Sequence, residues 1–249
     1  MKTTRFFISF FLVLLLAGQL GVPAGAARVP DPEIQAKAAL LIDQKTGAVI
    51  YGLNEHDELY PASLTKIMTC LLVLEAVDEG RLKLSQEITA TPTALEGLAD
   101  DGSTAGIEAG EVLTVEELLF CLMVVSANEA GAILAEKIAG SVPSFVDQMN
   151  AKAQELGCEN THFMNPHGYH DSQHYTSAWD LYLITRAALE YPDFMRICDT
   201  STHTVPATNT SEERQLNNTN FLIRSGRDYY NADVHGVKTG SHSQAGHCL

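Results

Sequence analysis

Basic residues are scarce in this sequence. Its 249 residues include 16 Lys and Arg against 31 Asp and Glu, a formal net charge of −15. A polyphosphate ligand needs a basic face and counterion release, so nucleic acid is excluded as a partner. Membrane-spanning hydrophobic stretches are missing too. The apolar run from Phe6 to about Leu20 has 15 residues, short of the roughly 20 that cross a bilayer. The five cysteines (Cys70, Cys121, Cys158, Cys198 and Cys248) are odd in number, widely spaced and without a C-x-x-C. They define no disulfide framework and read mostly as buried core thiols. Internal repeats and low-complexity tracts are absent as well. With 45% apolar and 19% charged residues, the chain is neither disordered nor a multi-span membrane protein. Its length suits one large domain, or a domain with an inserted lobe.

The start of the chain is not expected to belong to the fold. Lys2 and Arg5 precede the apolar run, and Pro23 with Ala24-Gly25-Ala26 follow it. That is the three-part pattern of a secretory signal peptide spanning residues 1–26, so the protein is expected to be exported. Cleavage after Ala26 leaves 14 basic against 31 acidic side chains, net −17.

Beyond it, Ala38–Ile42 and Ala48–Tyr51 are β-type runs joined by a turn at Lys45-Thr46-Gly47, which predicts a hairpin. The period changes at Pro61. Ser63 to about Glu79 is predicted as a helix with Ile67, Cys70, Leu71, Leu74 and Val77 on one stripe, stopped by Gly80. Leu82 to Gly110 reads mainly as loop. Thr114 caps a helix with Glu116 and Glu117 in its first turn. Further helices are expected near Glu129–Ile138, Pro143–Leu156 and Ser177–Glu190, and strands after Pro192. Strands at both ends around a helical middle imply a mixed α/β (α+β) fold. Its antiparallel sheet would be assembled from both chain ends around an inserted helical lobe, about residues 65–195.

Three motifs carry chemistry. In Ser63-Leu64-Thr65-Lys66, two residues three apart at a helix start share a face, so the amine of Lys66 can reach the hydroxyl of Ser63. A serine hydroxyl is a weak nucleophile without an adjacent base, and a lysine serves when burial or nearby cations lower its pKa. Alone, such a tetrapeptide is expected by chance about once in a chain this size. In Ser126-Ala127-Asn128, Ser126 could relay a proton and Asn128 could hold an amide, yet the same residues also suit an N-cap. Lys-Thr-Gly occurs twice. Lys45-Thr46-Gly47 is the hairpin turn, whereas Lys238-Thr239-Gly240 reads as extended. There Lys238 and Thr239 could bind a carboxylate and Gly240 would admit close approach.

The order Ser-x-x-Lys, Ser-x-Asn, Lys-Thr-Gly resembles the serine penicillin-recognising enzymes, and most of all the low-molecular-mass D-alanyl-D-alanine carboxypeptidases. Pro61 to Thr69, Ser126 to Ala130, Leu134-Ala135-Glu136, Met149-Asn150, Asn165-Pro166-His167-Gly168 and Ala245 to Leu249 carry the likeness, which covers roughly residues 35–249. The resemblance implies a β-lactamase/transpeptidase-like three-layer sandwich over residues 27–249. It also implies a Ser63 acyl-enzyme formed on peptidoglycan stem peptides, with Lys66 taking the seryl proton and Ser126 relaying a proton to the leaving amine. Asn128 would hold the substrate amide, Lys238, Thr239 and Gly240 the terminal carboxylate region. Backbone N–H groups of Ser63 and Ser241 would form the oxyanion hole. Penicillins would acylate Ser63, and neither metal nor cofactor is called for. Against that pattern the chain stops early, so it is expected to be C-terminally incomplete, with any membrane contact made by a region absent here. Glu129 stands where Asp is commoner, a change expected to matter little.

Alternatives stand beside this reading. A β-lactamase or a transpeptidase could use the same fold, and Glu213-Arg214-Gln215-Leu216-Asn217 matches a segment that positions water in some β-lactamases. That match is read as coincidence, because it lies in a strand-like stretch close before Lys238. A non-catalytic wall-binding homologue is a further possibility. His162, His167, His170 and His174 raise a zinc site, but without a helix-borne H-E-x-x-H they read as a solvated polar loop.

Overall fold

A computed structural model describes residues 33–249, and the signal-peptide expectation for residues 1–26 lies outside them. Lys37–Leu249 forms one body. It opens with the expected hairpin, β1 (Ala39–Ile42) and β2 (Val49–Leu53), antiparallel with Leu41 opposite Tyr51. The turn closes because Asp43 Oδ1 accepts from the Thr46 amide and hydroxyl, and Gly47 supplies the positive φ of +71°.

A 3-10 turn at Ala62–Thr65 then runs into α1 (Lys66–Asp78). The expected single stripe is wrong for α1. Every residue from Lys66 to Leu74 is buried, because the later helices pack on all its sides. Each fully buried Leu or Met there contributes about 1.5–3 kcal/mol relative to exposure.

The stretch expected to be mainly loop contains β3 (Glu87–Thr89) and a single helical turn, α2 (Pro92–Leu95). β3 pairs with β4 (Val112–Thr114), leading straight into α3 (Val115–Val124). As expected, Thr114 caps α3, its hydroxyl accepting from the Glu117 amide. α4 (Asn128–Ala139), α5 (Val142–Glu155) and α6 (Ala178–Ala188) follow, close to their expected spans. No helix among the described residues is long and apolar enough to cross a membrane.

After Pro192 the chain does not turn directly to strands. Pro192 opens a short helix, α7 (Pro192–Cys198), which buries Phe194, Ile197 and Cys198. That i, i+3, i+4 spacing is the helical signal that the Thr- and Asn-rich composition downstream obscured. Then come β5 (Thr202–Val205), β6 (Arg214–Asn217), β7 (Gly240–His242) and β8 (Gly246–Cys248). The class is mixed α/β as expected, but the described strands form four separate antiparallel pairs, β1–β2, β3–β4, β5–β6 and β7–β8. Strands from the two ends do not join one ladder, since each of these strands of three to five residues pairs only with its own partner.

Candidate active site

The site is built where the 3-10 turn meets α1. Ala62 takes φ +48°, a left-handed conformation that costs a side-chain-bearing residue on the order of 1 kcal/mol. This kink sets half-buried Ser63 one turn before Lys66, whose side chain is fully buried. Lys66 Nζ lies 3.1 Å from Ser63 Oγ, 2.8 Å from Asn128 Oδ1 and 2.6 Å from the carbonyl oxygen of His167. Three oxygens thus converge on one amine. Burial pushes the Lys66 pKa well below the ordinary lysine value, the charge of Lys238 adds to that, and Glu129 opposes it. A neutral amine has two protons and a lone pair. With Asn128 and His167 accepting the protons, the lone pair is left for the Ser63 hydroxyl.

The structure therefore brings Ser63, Lys66 and Asn128 into one hydrogen-bonded group. Asn128 is the first residue of α4 but does not cap it, nor does Ser126; the N-cap is Ala127, without a side-chain bond. Ser126 sits at φ +67°, and its buried hydroxyl has no hydrogen-bond partner among the described residues.

Lys238 precedes β7 and is 3% exposed. Its Nζ donates to the Thr239 carbonyl at 2.8 Å, and burial lowers its pKa to about 8. The Thr239 hydroxyl meets that of Thr219 at 2.6 Å, and Asn220 Nδ2 donates to the Gly236 carbonyl at 2.7 Å. Gly240 faces the backbone at Ser63: a Cβ there would sit 3.1 Å from both Pro61 O and Ser63 N. Ser241, next along β7, is exposed. Lys45 lies on the exposed tip of the β1–β2 hairpin.

Sequence reasoning missed how much the Asn160–Tyr175 loop contributes. It supplies the His167 carbonyl to Lys66 and the Pro166 carbonyl to Thr69 Oγ1, at 2.6 Å each. Gly168, at φ +84°, approaches so closely that a Cβ would lie 1.8 Å from Ala62 O. The Asn-Pro-His-Gly run was the only signal. The loop is not a solvated polar one throughout: His174 is buried, and burial takes the pKa values of His167 and His174 down to about 3 and 4. Glu129 does matter. Its buried carboxylate accepts from the Thr104 hydroxyl (2.7 Å) and the Ala105 amide (2.6 Å), pinning the loop beside Asn128. In the Glu213–Asn217 run, Arg214 lies on β6, pairs with buried Glu111 and donates to Ala105 O at 3.0 Å.

Comparison with known proteins adds a family. A model described as D-alanyl-D-alanine carboxypeptidase matches residues 25–249. The chain is 40% identical over 215 residues to the D-alanyl-D-alanine carboxypeptidase DacF of Bacillus subtilis, covering 86% of this chain and 53% of that protein. It is 33% identical over 250 residues to DacA of Haemophilus influenzae, covering 100% of this chain and 61% of that one. The chain thus spans between half and two thirds of these relatives' lengths. Among solved structures, a Streptomyces DD-transpeptidase superposes with a TM-score of 0.79 at 30% identity, over 89% of this chain and 86% of that one.

Proposed function

The chain belongs to the D-alanyl-D-alanine carboxypeptidase family, and from that membership we propose that it removes the terminal D-alanine of peptidoglycan stem peptides through a Ser63 acyl-enzyme. The observation that carries this reading is the buried Lys66 amine 3.1 Å from Ser63 Oγ, with the Asn128 and His167 oxygens accepting its protons. Neutral Lys66 takes the seryl proton as Ser63 Oγ attacks the carbonyl carbon of the D-Ala-D-Ala bond. Backbone N–H groups of Ser63 and Ser241 receive the oxyanion, each worth about 3 kcal/mol of transition-state stabilisation. Ser126 passes the proton to the departing amine. Asn128 holds the substrate amide, and Lys238 with Thr239 holds the terminal carboxylate as an ion pair with hydroxyl support. Water then attacks the ester and frees Ser63. Penicillins, whose strained amide mimics the scissile bond, acylate the same serine.

The signal pattern in residues 1–26 supports action outside the cytoplasm, at the cell wall. A transpeptidase is the second reading, favoured by the superposition on the Streptomyces DD-transpeptidase; it differs only in which nucleophile releases the acyl group.

The test is D-alanine release from a stem pentapeptide, with and without an added amino acceptor. Release that falls about a thousandfold or more in Ser63→Ala, and proceeds without acceptor, supports the carboxypeptidase. Product formed only with acceptor would replace it by the transpeptidase, and activity surviving Ser63→Ala would end both readings.

A further inference from the structure

Between Ser63 and Lys66 stands Thr65, whose hydroxyl is fully committed. Thr65 closes the 3-10 turn and enters α1 with helical dihedrals (φ −47°, ψ −35°), so its hydroxyl is not placed to accept from the helix's own first amides. It makes no such bond. It turns back instead and donates to the Ala62 carbonyl at 2.8 Å, the residue held at φ +48° immediately before the nucleophile. That one donation uses the hydroxyl's only proton. The same oxygen lies 2.7 Å from His174 Nε2, so Nε2 must carry the proton and donate to Thr65. His174 Nδ1 is then bare, and it accepts the Met164 amide at 3.1 Å. Every proton in the chain Met164 N–H, His174, Thr65, Ala62 O therefore has one direction.

We propose that His174 is a positioning residue for the nucleophile, acting through Thr65 to hold the Ala62 peptide in the left-handed kink that aims Ser63 Oγ at Lys66. The inference rests on the reading of Ser63 as the nucleophile. Three observations converge on it. His174 is 2% exposed, so its hydrogen bonds are not exchanged with water. Gly168 packs on the same Ala62 carbonyl, so the kink is gripped from two sides of one loop. The ring packs edge-on against Phe163, 5.6 Å between centroids, which fixes its plane. Burial also keeps the imidazole neutral, at a pKa near 4, despite Asp171 nearby. A neutral ring is what the relay needs, since a second ring proton on Nδ1 would face the Met164 N–H. The role of a threonine inside Ser-x-Thr-Lys follows: valine would fill the space but leave both Ala62 O and His174 Nε2 unpaired.

The test separates aim from stability. Fluorescent penicillin acylation of the full chain is resolved into a non-covalent binding constant and an acylation rate constant, alongside the melting temperature. We expect His174→Ala and Thr65→Val to slow acylation ten- to a hundredfold with the binding constant within about threefold. His174→Gln, whose amide can donate to Thr65, and Thr65→Ser should restore the rate to within about threefold. An unchanged acylation rate in His174→Ala, or a His174→Gln variant as slow as His174→Ala, overturns the proposal, whatever the melting temperature does. If the unsubstituted chain takes up no penicillin, the Ser63 reading fails. The linkage is then decided by 15N NMR of the imidazole: protonation at Nε2, with a resonance that moves in Thr65→Val, supports it, and protonation at Nδ1 overturns it.

Discussion

Lys238 is buried, its one hydrogen bond among the described residues runs from Nζ to the Thr239 carbonyl, and under the proposed function its remaining protons are available to a carboxylate. Only its protonated form can make the proposed ion pair. Because burial lowers its folded pKa to about 8, the pair is present below that value and lost as pH rises through it. The kcat/KM for peptide is therefore expected to fall above about pH 8. Lys238→Arg, which keeps its charge, should move that fall upward by a unit or more while lowering the plateau, since a planar fork cannot copy a point charge. A limb that stays near pH 8 in Lys238→Arg would assign it to another group. Much at this scale was legible in the sequence, because Ser63, Lys66, Asn128 and Lys238 have side chains whose chemistry announces itself. The partners of Lys66 and Thr69 in the Asn165–Gly168 run were not, since the His167 and Pro166 carbonyls are backbone atoms that any residue carries.

Helix α4 shows how an element delivers a residue to the site. Its first turn puts Asn128 at Lys66 and Glu129 into the loop before it, while the Asn128 amide donates to Ser103 O at 2.8 Å. Removing the Glu129 carboxylate leaves the Thr104 hydroxyl and Ala105 amide without their acceptor. Glu129→Ala is expected to cost about 2–3 kcal/mol in urea unfolding, with amide exchange rising first at Ala105 and Ile107. Exchange that rises evenly across the chain would mean that the carboxylate supports the whole fold and not this loop. The helices α3, α5 and α6, with side-chain N-caps, and α4, closed by Gly140, were readable. α1 was misread as amphipathic because its polar members are buried too: Lys66 and Thr69 find acceptors in a loop a hundred residues away, which no local period encodes. The three-residue strands β3 and β4 were invisible, because at that length pairing, not propensity, decides.

Across the whole molecule, the thiols report the same enclosure. Cys70, Cys121 and Cys198 are fully buried free thiols, and burial pushes those of Cys121 and Cys198 up to about 12. A thiolate is the reactive form, so native chain at pH 8 should leave these three unmodified by iodoacetamide for as long as it stays folded, and react at all of them in denaturant. Fast native modification at Cys121 would contradict the packing of α3. The net charge of −15 says nothing of the local field at the site, which arises only on folding: burial strips water from both Lys66 and Lys238, and the charge of Lys238 further disfavours that of Lys66. The central claim is thus a property of the folded chain: Lys66 is the neutral base for Ser63. NMR titration of the Lys66 side-chain amine, folded and in denaturant, tests it most directly. We expect the folded amine to titrate well below the ordinary lysine range and the unfolded one near 10.4. Between those values the unfolded chain alone holds the proton, so stability should rise with pH across the window. A folded Lys66 that titrates with the exposed lysines would contradict the account.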